Sequence, residues 1–202
     1  MNIVPWAGSA IFPALCKTLL AWRKSAPDTR DLPWRDEPTP YHVWISEIML
    51  QQTRANVVRA YYLRFLETLP TVHALAACDS DLLMKLWQGL GYYSRARNLK
   101  RAAEVIVRAH GGILPSDFDA LLALPGIGRY TASAIASFAY GLPRPAVDGN
   151  FLRVAARITA NPIDVAKDTA KRALEAALSP SYPTGREAGL LNEAFMDLGA
   201  TI

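Results

Sequence analysis

With 202 residues, 51% of them hydrophobic, the chain is long enough for one large domain or two small ones around a substantial core, as in a globular protein. No apolar run reaches the roughly eighteen residues that a membrane span needs, and the start of the chain lacks the basic-then-apolar order of a secretory signal. No membrane partner is therefore expected, and the reading is of an intracellular protein of cytoplasm or nucleoid, with a mild formal charge of +4.

In chain order the sequence reads as helix after helix, with strand signals almost absent, so the fold class is all-α. Spacing or composition predicts helices over 11–24, 41–50, 54–67, 81–87, 94–110, 117–123, 129–140, 150–159, 168–178 and 187–198. Pro40 suits a first helical turn, Gly111-Gly112 closes the segment before it, and Asp117 and Asp168 suit helix starts. Loops are expected at 25–40, 161–165 and 179–185, the first being the best candidate for a boundary between lobes. Cys16 and Cys78 stand far apart with no Cys-x-x-Cys spacing, and His42, His73 and His110 are equally scattered, so neither a disulfide framework nor a zinc site is supported.

Charge is unevenly placed. Arg95, Arg97, Lys100, Arg101 and Arg108 face a single Glu104 within one predicted helix, preceded by Tyr92 and Tyr93. That is either a solvated helix face or a basic surface with aromatics at its entry, as a nucleic-acid backbone requires. The turn Leu124-Pro125-Gly126-Ile127-Gly128-Arg129-Tyr130-Thr131 is followed, after a run of small and apolar residues, by Val147-Asp148-Gly149-Asn150. Two glycines let the backbone turn sharply and point amide N–H groups outward at a helix start, which favours an anion. The Gly-x-Gly alone would also fit an ordinary helix-to-helix connection.

Other motifs narrow the choice. Leu32-Pro33-Trp34-Arg35, then Tyr41-His42-Val43-Trp44-Ile45-Ser46-Glu47-Ile48-Met49-Leu50-Gln51-Gln52-Thr53, then Trp87-Gln88-Gly89-Leu90-Gly91-Tyr92-Tyr93-Ser94-Arg95-Ala96-Arg97-Asn98-Leu99, then the glycine turn and Val147-Asp148-Gly149-Asn150, closely resemble the MutY family of adenine DNA glycosylases. The likeness runs from about Leu32 to Ile202. It implies the helix-hairpin-helix glycosylase fold: two helical lobes flanking a DNA-binding cleft, a six-helix lobe at 38–147 and a second lobe from 1–37 and 148–202. The implied activity is base-excision repair, hydrolysing the N-glycosidic bond of adenine mispaired with 8-oxoguanine or guanine in double-stranded DNA, by a monomer.

Cleaving that bond needs a proton for the departing base and a negative charge for the sugar. Glu47 lies among Trp44, Ile45, Ile48, Met49 and Leu50, surroundings that disfavour its ionised form and keep a proton available, so it is the candidate general acid. Asp148 suits a helix cap; the resemblance makes it the carboxylate that faces the cationic sugar, with Asn150 either steadying it or capping locally. Where bifunctional relatives such as endonuclease III carry a lysine that attacks the sugar, this chain has Tyr130, which implies a monofunctional enzyme. By the same resemblance Gln52, Thr53 and Tyr92 wedge the duplex, Trp34, Arg35 and Glu193 surround the extruded adenine, and amides of Gly126 and Gly128 grip a phosphate. Carbonyls of Leu122, Leu124 and Ile127 match a structural cation site. Relatives continue into four cysteines that hold a [4Fe–4S] cluster; its ligands would lie beyond Ile202, and Cys16 and Cys78 cannot replace them. A thymine or uracil mismatch glycosylase, a non-catalytic DNA-binding module and, least favoured, a nucleotide-binding protein remain as alternatives.

Overall fold

The computed structural model describes residues 6, 10–25, 30 and 32–201. Eleven α-helices run in chain order among them: α1 (Ile11–Ser25), α2 (Pro40–Leu50), α3 (Ala55–Thr68), α4 (Val72–Ala77), α5 (Ser80–Trp87), α6 (Ser94–His110), α7 (Phe118–Leu122), α8 (Arg129–Ala134), α9 (Gly149–Ile158), α10 (Asp168–Leu178) and α11 (Arg186–Thr201). Short 3-10 turns cover Pro33–Arg35 and Ser179–Ser181, inside two of the expected loops, and a π-helical turn covers Ile135–Ala139. Of the first of those loops, residues 26–29 and 31 lie outside the described set. The described residues contain no strand.

Contacts divide the chain into two compact units, Arg30–Ile135 on one hand and Met1–Thr29 with Ala136–Ile202 on the other. In the first unit α2 is the central helix. Tyr41, Val43, Trp44, Ile45, Ser46, Glu47, Ile48 and Met49 are all buried, so α2 is enclosed on every side rather than presenting one apolar stripe. It starts where the sequence says it should: Pro40 occupies the first turn, and the Thr39 hydroxyl accepts from the His42 N–H at 3.2 Å. Helices α3, α6 and α8 pack around it. Helix α6 buries Ala96, Leu99, Ala102, Ala103 and Ile106 at three- and four-residue spacing, and it ends at Gly111, whose φ of 61° lets the Gly112 N–H close on the Ile106 carbonyl at 3.1 Å.

The second unit is built by α1, α9, α10 and α11 around Phe12, Cys16, Leu19, Phe151, Leu152, Leu174, Leu178, Leu191 and Phe195. Phe151 and Phe195 stack face to face with ring centroids 3.8 Å apart. The sequence predicts one helix over 129–140, but the α-helical ladder stops at Ala134 and widens into the π turn. There the Ser137 hydroxyl accepts from the buried Asn192 amide at 2.6 Å, and Leu142 N–H returns to the Ala136 carbonyl at 2.9 Å. The division between the units falls at this turn, upstream of the boundary expected at 147.

Candidate active site

Helices α7 and α8 form a hairpin against α2 in the first unit. Asp117 caps α7, its carboxylate accepting from the Ala120 N–H at 2.8 Å. The chain turns through Leu124, whose carbonyl accepts from the Ile127 N–H at 3.2 Å, and through Gly126 at φ 78°, a left-handed conformation that favours glycine. A Cβ at Gly126 would also stand 2.7 Å from the Cβ of Asn98 on α6. Gly128 follows as the N-cap of α8. Both glycines are exposed, at the end of a helix whose first N–H groups have no intrahelical acceptor. Tyr130, half-buried, is the second residue of α8, and the next residue, Thr131, takes a 3.5 Å contact from the Gln51 amide at the end of α2. The hairpin helix is thus tied to the helix that carries Glu47, a residue only 7% exposed.

The expected basic face of α6 needs one correction. Arg95 is buried, not displayed, and its guanidinium is an internal clamp. One terminal nitrogen donates to the carbonyls of Ile48, Met49 and Gln51 at 2.9, 2.9 and 2.6 Å. The other donates to the Thr53 hydroxyl at 3.2 Å and to the carbonyls of Leu90 and Gly91 at 3.1 and 3.2 Å. A cation here satisfies carbonyls that the last turn of α2 leaves without helical partners, at the negative end of its dipole. Lys100 is similarly drawn inward, donating to the carbonyls of Ala76 and Cys78 at the end of α4. Arg97, Arg101 and Arg108 remain exposed.

Arg95 brings together the residues expected to open a duplex. Thr53 bonds to it directly, and the Tyr92 ring lies 5.6 Å from its guanidinium carbon. Gln52 and Tyr92 have φ of 59° and 48°, two of three non-glycine residues with positive φ among those described. Each such conformation costs about 1–3 kcal/mol and persists only where its surroundings enforce it. Both side chains are exposed, Tyr92 to 61%. Trp34 is buried in the first unit, edge-on to Tyr62 with centroids 5.7 Å apart, and Arg35 beside it is half-buried.

In the second unit Asp148 caps α9, accepting from the Phe151 N–H at 2.7 Å. Burial pushes its carboxyl above the usual 3.8, while hydrogen bonds from Phe151 and from the backbone and side chain of Asn150, with the charge of Arg153, hold it down. The Asn150 side-chain oxygen accepts from Arg153 at 3.0 Å. Glu193 accepts from Arg23 of α1 through Nε and a terminal nitrogen, at 3.1 and 2.7 Å. Its neighbour Asn192, at 0% exposure, accepts from the Ala146 N–H and the Tyr182 hydroxyl at 2.8 and 2.6 Å, and donates to Ser137 and to the Ala188 carbonyl. Asn192 thus anchors the strand of chain that leads into Asp148.

Sequence reasoning missed Arg23 and Asn192. Arg23 left no local signal, since its partner lies 170 residues away. Asn192 left one: a lone amide set in the apolar run of α11. Four thiolates for an iron–sulfur cluster do not fit the residues present. Cys16 is packed into the core of the second unit, where burial raises its thiol to about 11, and the Cys78 thiol contacts the Leu75 carbonyl in the first.

The exposed glycine hairpin is thus joined, through Gln51 and Thr131, to the helix that carries the buried Glu47. The family described as HhH-GPD superfamily base excision DNA repair protein matches residues 45–180, and the chain belongs to it. Adenine DNA glycosylases from Homo sapiens and Mycobacterium tuberculosis are each 40% identical, covering 91% of this chain but 33% and 60% of the relatives. The Buchnera aphidicola (Baizongia pistaciae) adenine DNA glycosylase is 37% identical over 92% of this chain and 52% of its own length. This chain thus spans between a third and three fifths of the relatives it matches. Among solved structures, a thermostable thymine-DNA glycosylase superposes with a TM-score of 0.81 at 29% identity, covering 97% of this chain and 89% of that one. An endonuclease III–DNA covalent intermediate superposes at 0.72 and 24% identity over 91% of this chain and 84% of that one, a likeness of fold.

Proposed function

We propose that this chain carries the catalytic region of a monofunctional adenine DNA glycosylase, which binds double-stranded DNA as a monomer in cytoplasm or nucleoid and removes adenine mispaired with 8-oxoguanine or guanine. The observation that carries the reading is Glu47: an acidic residue 7% exposed within an enclosed apolar helix, on a chain 37–40% identical to adenine DNA glycosylases. A carboxyl on a residue so deeply buried is a candidate for chemistry, since burial favours its protonated form.

In the proposed reaction Glu47 gives its proton to a ring nitrogen of the extruded adenine as the bond to the sugar breaks. The bonding electrons leave with the base. Asp148, held by the Phe151 N–H, stabilises the cationic deoxyribose; water then bonds to that sugar carbon through its oxygen and releases one proton to solvent. A charge pair about 4 Å apart at an effective dielectric of about 20 is worth roughly 4 kcal/mol, or about three decades of rate. Tyr130 offers no amine, so no Schiff base forms and the strand stays intact at an abasic site. Trp34 and Arg35 contact the extruded base in this reading; Gln52, Thr53 and Tyr92 fill the gap left in the stack. The exposed Gly126 and Gly128 receive a phosphate, and the carbonyls of Leu122, Leu124 and Ile127 seat a structural cation.

The test is single-turnover release of adenine from a duplex with adenine opposite 8-oxoguanine. Glu47→Gln is expected to slow release by about 10²–10⁴ while duplex affinity stays within a fewfold. Release at the wild-type rate by that variant would remove Glu47 as proton donor. Superposition on a thymine-DNA glycosylase favours a second reading, and a parallel duplex with thymine or uracil opposite guanine decides it.

A further inference from the structure

Gln52 and Tyr92 lie forty residues apart in sequence order, on turns that no shared helix connects, yet both hold left-handed backbones and both point into solvent. What the two turns have in common is one guanidinium. The nitrogen of Arg95 that grips Ile48, Met49 and Gln51 fixes the chain entering the first turn. The nitrogen that grips Thr53, Leu90 and Gly91 fixes the chain leaving the first turn and the chain entering the second. Trp87 and Tyr92 flank the cation at 5.5 and 5.6 Å, and the Trp87 indole N–H donates to the same Gly91 carbonyl at 3.1 Å.

We infer that Arg95 is a positioning residue: it locks the two turns into one rigid wedge, so that Gln52 and Tyr92 meet a base stack already shaped for insertion. The inference rests on the reading that this chain opens duplex DNA. An amide can bond base edges, and a tyrosine ring offers a face for stacking. Held rigid beforehand, neither side chain needs to be ordered at the moment of binding. The planar fork is essential to the design, because six acceptors are shared between two nitrogens, and the three donors of a lysine ammonium cannot serve both turns.

The experiment uses the full chain with Arg95→Lys, Tyr92→Ala and the double variant, each checked for folding by thermal unfolding. Amide hydrogen exchange in the DNA-free protein reads the lock itself. Arg95→Lys is expected to speed exchange about tenfold at 50–53 and 90–92 together, leaving the cores of α2 and α6 unchanged. Faster exchange at only one turn, or at neither, overturns the inference. The second readout is the fluorescence of 2-aminopurine placed opposite 8-oxoguanine in a duplex, which rises as that base leaves the stack. Tyr92→Ala is expected to lower the rise at least fivefold in the wild-type background and less than twofold in the Arg95→Lys background, because the tyrosine is then no longer held. Equal losses in both backgrounds overturn it. If Arg95→Lys does not fold, Thr53→Val removes one of the six bonds and is expected to speed exchange at both turns about threefold. A wild-type chain that leaves 2-aminopurine stacked removes the duplex-opening reading, and with it the wedge role, whereas the exchange measurement separately decides whether Arg95 holds the turns.

Discussion

Replacing Asn192 with alanine tests how the second unit holds the approach to Asp148. Truncation removes the acceptor of the Tyr182 hydroxyl and of the Ala146 N–H, and the donor to Ser137, all in a place with no exposure to solvent. A buried polar group left without its partner costs about 1–3 kcal/mol, so three of them set a range of roughly 3–9 kcal/mol. Relaxation and entry of a water into the space of the lost amide reduce this, and a loss of about 3–5 kcal/mol is expected. That is a large share of the roughly 5–15 kcal/mol that holds a domain folded. Asn192→Asp separates the contributions. It keeps both accepted bonds but sets an oxygen against the Ala188 carbonyl and a carboxyl in a site with no exposure, so it should lose at least as much stability as the alanine at pH 7 and less at acid pH. Urea unfolding of the three proteins at pH 7 and at acid pH, fitted with a common slope, measures both differences. A loss below about 1 kcal/mol for Asn192→Ala would show that the network is not what fixes this part of the unit.

Asp148→Asn should stabilise the protein at pH 7 while slowing base release by about three decades. Asparagine caps a helix about as well as aspartate, and burial raises the Asp148 carboxyl above 3.8 in the folded state. The stability supplied by the protonated form is complete below the unfolded value, is lost as pH rises through the folded one, and the ionised form is a net cost beyond it. The variant's advantage should therefore be absent at low pH and grow toward neutrality; an advantage that shrinks with rising pH would contradict the assigned burial. Arg23→Ala should cost about 1–3 kcal/mol, less than a fully buried pair, since the two side chains are 11% and 13% exposed; the shift in melting temperature measures it. Gly126→Ala combines a φ of 78° with a contact of 2.7 Å to Asn98 and should cost about 1–3 kcal/mol and weaken duplex binding severalfold. Gly128→Ala, with nothing within 4 Å, gives up only the glycine N-cap and should cost less, below about 1 kcal/mol by thermal unfolding.

Long helices with a regular apolar face were legible in the sequence: the span predicted at 94–110 matches α6 residue for residue, because its buried positions recur on one face and Gly111 ends it. Helix α4 was missed. Six residues, Val72–Ala77, are too few to show a period, and what starts them is the Thr71 hydroxyl accepting from the Ala74 N–H at 3.1 Å. The widening after Ala134 was equally hidden, since it answers to Asn192, distant in sequence. At the site, the apolar neighbours of Glu47 announced its burial. Charge alone misled at Arg95, where the pattern shows a cation but not the direction in which it points. Carbonyl groups are present at every residue, and only the folded backbone gathers five of them around one guanidinium.

The second unit draws α1 and α11 from opposite flanks of the first, and Arg23 and Glu193 are 170 residues apart. At about 5–20 residues per second, a ribosome delivers the second of these helices on the order of ten to thirty seconds after the first. Throughout that interval Phe12, Cys16 and Leu19 lack the surface that will cover them, while the intervening stretch has everything it needs to fold on emergence. Biogenesis therefore has a built-in waiting period, in which the earliest helix depends on chaperones or on dilution to stay out of aggregates.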